Sequence, residues 1–268
     1  MRWSLLLLFT AAFAVNAVCT AKGAEWIIQQ QASNIDLFCQ FPTDTQFIWN
    51  QIKDLANELD ESLQVRTNGE PIQILIFSDQ PSYLAFLLAS VPECRTRKAV
   101  FVRKGQLSSI YAYRSRTLIT DLRHEMTHAI LHQHVPILPL WLDEGLAEYF
   151  EDQRDRRANS SRISNVRWKA HLGWTPGLKS LEAISAMDDL DSEAYRDSWA
   201  WACLLLNESA ESQQLLTNYL QRIHNAEKPM PFSEFAEMAL PDLAKRSRSF
   251  FRKLSIRTIP ANATTSAE

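Results

Sequence analysis

The 268-residue chain has no excess of positive charge: 28 Lys and Arg against 31 Asp and Glu leave −3 at pH 7. With no basic face, the footprint of a nucleic-acid-binding protein is missing. Cysteine is scarce, four in all, and Cys39, Cys94 and Cys203 show no metal-ligand spacing. A cysteine-based metal site is therefore excluded, and one disulfide, Cys39 with Cys94, is the most that is expected. No internal repeat or low-complexity tract precedes the tail "ANATTSAE". Residues 257–268 are read as disordered. Beyond the first twenty residues no apolar run is long enough to cross a bilayer.

What the chain does have is 46% apolar and 22% charged residues, the make-up of a globular protein with a real core. The opening "MRWSLLLLFTAAFAVNAVCTAKGAEW" reads as a secretory signal over 1–21. Arg2 supplies the positive end, Leu5 to Val15 the short apolar run, and Val15 with Ala17, or Cys19 with Ala21, the small residues for cleavage. An uncleaved anchor or lipidation at Cys19 are the other fates, although Asn16 and Val18 make a poor lipidation signal. The expectation is export to a periplasmic or extracellular space, with no membrane span left after cleavage.

The front half, 22–153, reads as strand, helix, strand, helix, hairpin and two helices. "IDLFCQF" is a strand, and Thr43 or Asp44 caps a helix through "TQFIWNQIKDLANELDESL". "PIQILIF" is a buried strand, "PSYLAFLLA" a short helix, and "KAVFV" with "SSIYAY" a hairpin. Helices are expected from Thr117 to His132 and from Pro139 to Asp152. Residues 154–180 read as a connecting loop, with Arg154, Arg156 and Arg157 solvated. The region 181–256 reads as all helical. The class is α+β.

The chemistry-bearing stretch is "LRHEMTHAILH". His124 and His128 are one helical turn apart, so both can reach one metal ion, with Glu125 beside them as general base. Two histidines are an incomplete site. His134 falls where the metzincin pattern H-E-x-x-H-x-x-G-x-x-H has its last ligand, but Leu131 stands where that pattern needs its turning glycine. The better third ligand lies in "PLWLDEGLAEYFE", where Glu144 and Glu148 share a helix face. The 15 residues between His128 and Glu144 allow a loop and a second helix. Glu148 is then the expected partner of a ligand histidine's N–H. His132 reads as a packed or surface histidine.

H-E-x-x-H followed by W-L-x-E-G-x-A-E-Y resembles the gluzincins, the thermolysin-like clan that includes the aminopeptidase N group. More narrowly, "VFVRKGQLSSIYAYRSRTLITDLRHEMTHAILH" and "PLWLDEGLAEYFE", with the later "AYRDSWAWACLLL", resemble the bacterial peptidase MA-like proteins, many of them exported. The resemblance spans about Ile72 to Leu220 and is specific around the two motif helices. It implies a thermolysin-like core, one zinc ion on His124, His128 and Glu144, and Glu125 as base. Thermolysin has Asp where Glu148 stands, which leaves that partner role less secure. It also implies an oxyanion donor from a downstream helix, here Tyr195, with His171 and His224 as alternatives and a packed tyrosine as the plain reading.

The hairpin strand "SSIYAY" could be a sheet edge receiving an extended peptide, flanked by Tyr111, Tyr113, Arg114 and Arg116. An ordinary half-buried strand, with the arginines as strand-end charges or partners of Asp121, is the preferred reading. The resulting expectation is an exported zinc metallopeptidase acting on peptide or protein substrates. No G-x-M-E-N-like segment precedes the motif, which favours endopeptidase action. A metal- or peptide-binding protein that keeps the fold without turnover is the alternative from another class, and a zinc hydrolase of non-peptide substrates is a third.

Overall fold

The structure, a computed structural model, describes residues 25–92, 97–135, 137–225 and 230–255. The expected signal, the tail from 257 and Cys94 lie outside them. Strand β1 (Ile28–Ala32) turns at Ser33, φ 54°, into β2 (Ile35–Cys39). Helix α1 (Thr45–Leu63) begins where the Asp44 carboxylate accepts the Phe47 amide and ends at Gln64, φ 58°, in the left-handed region. β3 (Ile72–Phe77) runs parallel to β2, and α2 (Gln80–Ser90) follows with Asp79 as its cap and Pro81 in its first turn. Gly105, φ 63°, makes the turn between β4 (Ala99–Lys104) and β5 (Leu107–Tyr113).

The five strands form one mixed sheet in the order β1-β2-β3-β5-β4, parallel through its middle and antiparallel at both edges. This is the expected α+β class. β1 carries no sequence signal of its own. Its glutamines lie exposed, and pairing with β2 alone makes it a strand. The period of two sorts the other side chains. Leu37, Ile74, Ile76 and Ile110 meet α1 and α3 (Leu118–His134), while Phe38, Leu75 and Phe77 meet α2.

β5 lies between β3 and β4, so it is not the sheet edge. Its Tyr111 and Tyr113 pack on Phe86 and Tyr83 of α2, with ring centroids 4.9 and 5.2 Å apart. Arg114 lies over the Phe41 ring, and Asp121 accepts from Thr117 rather than from an arginine. The edge on that side is β4.

The rest is helical: α4 (Leu140–Phe150), α5 (Arg154–Arg157), α6 (Ser161–His171), α7 (Leu178–Glu182), α8 (Ser192–Asn207), α9 (Ala210–His224), α10 (Phe232–Ala239) and α11 (Leu243–Arg252). The segment 154–180, expected as a loop, thus holds three short helices. Ser160 caps α6, and Ile163, Val166 and Ala170 repeat at helical spacing to reach the core. Arg157 is not solvated either. It is buried, ion-paired to Glu58 at 2.8 Å and stacked over Tyr149 at 4.4 Å. Glu58 also takes Arg123 at 2.9 Å, so one carboxylate of α1 ties down α3 and α5.

One apolar cluster runs from Ile35 to Leu254, so the sheet half and the helical half share a core. Cys39 and Cys203 sit in it as free thiols rather than in a bridge. Where α4 meets α8, a side chain at Gly145 would bring a Cβ to 2.5 Å from the Ser198 carbonyl oxygen. Only glycine allows that approach. Among the described residues no helix is long and apolar enough to cross a membrane.

Candidate metal centre

α3 and α4 pack against each other and bring the expected ligands together. His124 Nε2 and His128 Nε2 are 3.3 Å apart. Glu144 reaches them from α4, with Oε2 3.6 Å from His124 Nε2 and Oε1 3.8 Å from His128 Nε2. Ligands of a tetrahedral zinc ion, each bonded at about 2.0–2.1 Å, stand about 3.3 Å from one another. The three side chains therefore bracket a point that one such ion would fill, and they form a group able to bind a metal ion. Glu144 Oε2 is buried and, among the described residues, has no hydrogen-bond partner. A buried carboxylate oxygen facing two imidazole nitrogens has its electrostatic need met by a cation between them.

The ring orientations come from the other nitrogens. His128 Nδ1 donates to Asp143 Oδ1 at 2.9 Å, and His124 Nδ1 donates to Glu151 Oε2 at 3.1 Å. A carboxylate only accepts, so each Nδ1 carries a proton, and each Nε2 faces Glu144 as the ring atom available to a metal ion. Burial alone would lower both histidine pKa values. The carboxylates of Glu144 and Glu151 outweigh it at His124, raising it well above the usual range, and Asp143 does the same at His128. Burial likewise opposes ionisation of Asp143 and Glu144, but the paired histidines hold both below the ordinary carboxylate value.

Glu148, expected to accept the N–H of a ligand histidine, bonds neither ring, whose Nδ1 partners are Glu151 and Asp143. It ion-pairs with Arg162, which also binds Glu151 at 2.8 Å. Burial, then the neighbouring Glu151 charge, pushes Glu148 up to about 7. The His124 partner is Glu151, the residue that caps the end of α4. Asp143 and Glu151 carry no motif of their own; the signal available is Asp143 standing next to the ligand Glu144.

His132 belongs to the same set, because its Nε2 bonds Asp143 Oδ2 at 2.9 Å. Asp143 thus joins His128 to His132, and Phe101 of edge strand β4 stacks on both rings. His134 instead stacks on His224 at 4.3 Å and its carbonyl accepts that ring's Nδ1–H, so neither joins the cluster. His171 is exposed at the end of α6.

Glu125 follows His124 on α3 and is buried, and its charge acts on both His124 and Arg97. Tyr195, in the first turn of α8, lies close enough to Glu144, Glu148 and Arg97 for their charges to act on it. Burial, then the Glu144 charge, raises its pKa, so the phenol keeps its proton and remains a donor. Arg97 has no motif to announce it. No family model matches this chain, and no curated protein is significantly similar to it.

Proposed function

We propose that the protein is an exported, zinc-dependent metallopeptidase on a thermolysin-like core. The observation that carries this reading is the convergence of His124, His128 and Glu144 at tetrahedral ligand spacing, with a buried Glu144 oxygen that no described residue hydrogen-bonds. Two histidines, one carboxylate and an open position suit zinc best among common divalent ions. Zinc held there supplies a Lewis acid that polarises a carbonyl and acidifies water.

The chain's own groups do the rest. Glu125 takes the proton from the attacking water and hands it to the leaving amine. The Tyr195 hydroxyl donates to the oxygen on which negative charge develops. Asp143 and Glu151 hold the two imidazoles with Nε2 forward throughout. Edge strand β4, whose Phe101 covers His128, offers free backbone groups along which an extended substrate can pair.

The test compares mature wild-type protein with Glu125→Gln for bound metal and for cleavage of a quenched peptide library. About one zinc per chain in both, with cleavage by wild type alone, is the expected result. Zinc in both and cleavage by neither replaces this reading with a metal-bearing binding protein. No zinc in either removes the metal centre itself.

A further inference from the structure

A net charge of −3 hides an uneven distribution along the chain. Residues 161–172 and 243–255 together carry eight Lys and Arg and no Asp or Glu. The first stretch is α6 with the leucine that follows it, and the second is α11 with its exit. The two helices pack on each other, and Arg252 of α11 donates to the Ala170 carbonyl of α6 at 3.4 Å. Folding thus joins two acid-free segments, distant in the sequence, into one cationic surface.

Two of the eight cations are used inside the fold. Arg162 pairs with Glu148 and Glu151 beside the metal centre, and Arg246 pairs with Glu208. Asp242, at the start of α11, is also turned to Arg246, at 3.8 Å. Arg167, Lys245, Arg248, Arg252 and Lys253 lie exposed, and Lys169 is half-buried. On α11, Lys245, Arg248 and Arg252 repeat at helical spacing, opposite the buried Leu243, Ser247 and Phe251.

The outermost side chains on α6 are apolar. Ile163, Val166 and Ala170 turn the helix toward the core, so at about 100° per residue Trp168 and Leu172 point directly away from it. They are 64% and 69% exposed and stand one turn apart. Arg167 and His171 flank them on one side and Lys169 on the other. This is the arrangement of an interfacial anchor. A tryptophan ring suits the headgroup layer, a leucine the acyl boundary beneath it, and Arg and Lys stems extend to the phosphates alongside. A nucleic acid would meet the charge but leave Leu172 in water, so the apolar pair favours lipid.

We propose that the α6–α11 face docks the protein on an anionic lipid surface, with Trp168 and Leu172 entering the headgroup layer and the surrounding cations held by lipid phosphates. The contact is peripheral and needs no spanning helix. It is independent of the metallopeptidase reading.

The experiment floats the mature protein, without residues 1–21, with vesicles of phosphatidylcholine alone and of phosphatidylcholine with about 30% phosphatidylglycerol. Wild type is compared with the double variant Trp168→Ser, Leu172→Ser and with the triple variant Arg167→Gln, Arg248→Gln, Lys253→Gln. All five positions are exposed, and a denaturation midpoint close to wild type shows that each variant is folded. Wild type is expected to bind only the anionic vesicles, and less as salt rises. The double variant should bind about tenfold more weakly, and the triple variant about fivefold more weakly for each cation removed. No binding of anionic vesicles by wild type overturns the proposal. So does binding undiminished in either variant, which places the contact elsewhere or makes it one of charge alone. A labelled single-stranded oligonucleotide is tested in parallel. Its capture by wild type and loss in the triple variant, with vesicles left unbound, overturns the lipid assignment in favour of nucleic acid.

Discussion

Asp143 is the residue on which the geometry of the centre turns. It lies beside the ligand Glu144 and accepts from His128 and His132 together. Removing its charge frees the His128 ring to rotate and lets its tautomer change, which misdirects the lone pair the metal needs. Asp143→Asn should therefore weaken metal binding about 10–100-fold, as should Glu151→Gln at His124. Glu148→Gln should cost distinctly less, because Glu148 is held by Arg162 and not by a ligand ring. Titration against a competing chelator measures all three variants. A large loss in Glu148→Gln with none in Glu151→Gln would reverse the assignment of the His124 partner.

At the scale of elements, the centre depends on how closely α4 can lie on α8. Gly145 sits between Glu144 and the packing residue Leu146, and its missing side chain is what lets the Ser198 backbone come so near. Gly145→Ala must push the helices apart, and overpacking of this kind costs about 1–3 kcal/mol. Because Glu144 is the next residue, the shift also moves a ligand. The expected outcome is a lower denaturation midpoint together with weaker metal binding. An unchanged midpoint would mean that α8 gives way at no cost. The Glu58 carboxylate works at the same scale, fixing α3 through Arg123 and α5 through Arg157. Neither link is visible in the sequence. Arginines among acids and small polar residues look like solvated charge until the fold brings Glu58 underneath them.

For the molecule as a whole, one core spans the sheet and the rear helices, and it contains titratable thiols. Burial pushes the Cys39 thiol up to about 12 from an ordinary 9.0, and raises Cys203 further. Below the unfolded value both states are protonated and the thiols make no difference to stability. Above it the unfolded chain loses its thiol protons while the folded core keeps them, so stability falls as pH rises from about 9 towards about 12. Replacing Cys39 and Cys203 by Ala should flatten the alkaline limb of denaturation midpoint against pH. Native protein at pH 8 should also leave both thiols unmodified by an alkylating agent until denaturant is added. Rapid native modification of either thiol would contradict their burial.

Local spacing pointed to the α+β class, the two motif helices, the helical rear and the pair His124 and His128, and spacing together with the family resemblance pointed to Glu144. Those features depend on periodicity and on residues one turn apart, which any reader of the chain can count. The tertiary structure alone decided the rest. Glu151 rather than Glu148 hydrogen-bonds His124, β4 rather than β5 is the edge, 154–180 holds three short helices, and Asp143 joins His128 to His132. Each of these is a relation between segments far apart in the chain. Their meeting is set by how the shared core packs, and no short stretch of sequence contains that information.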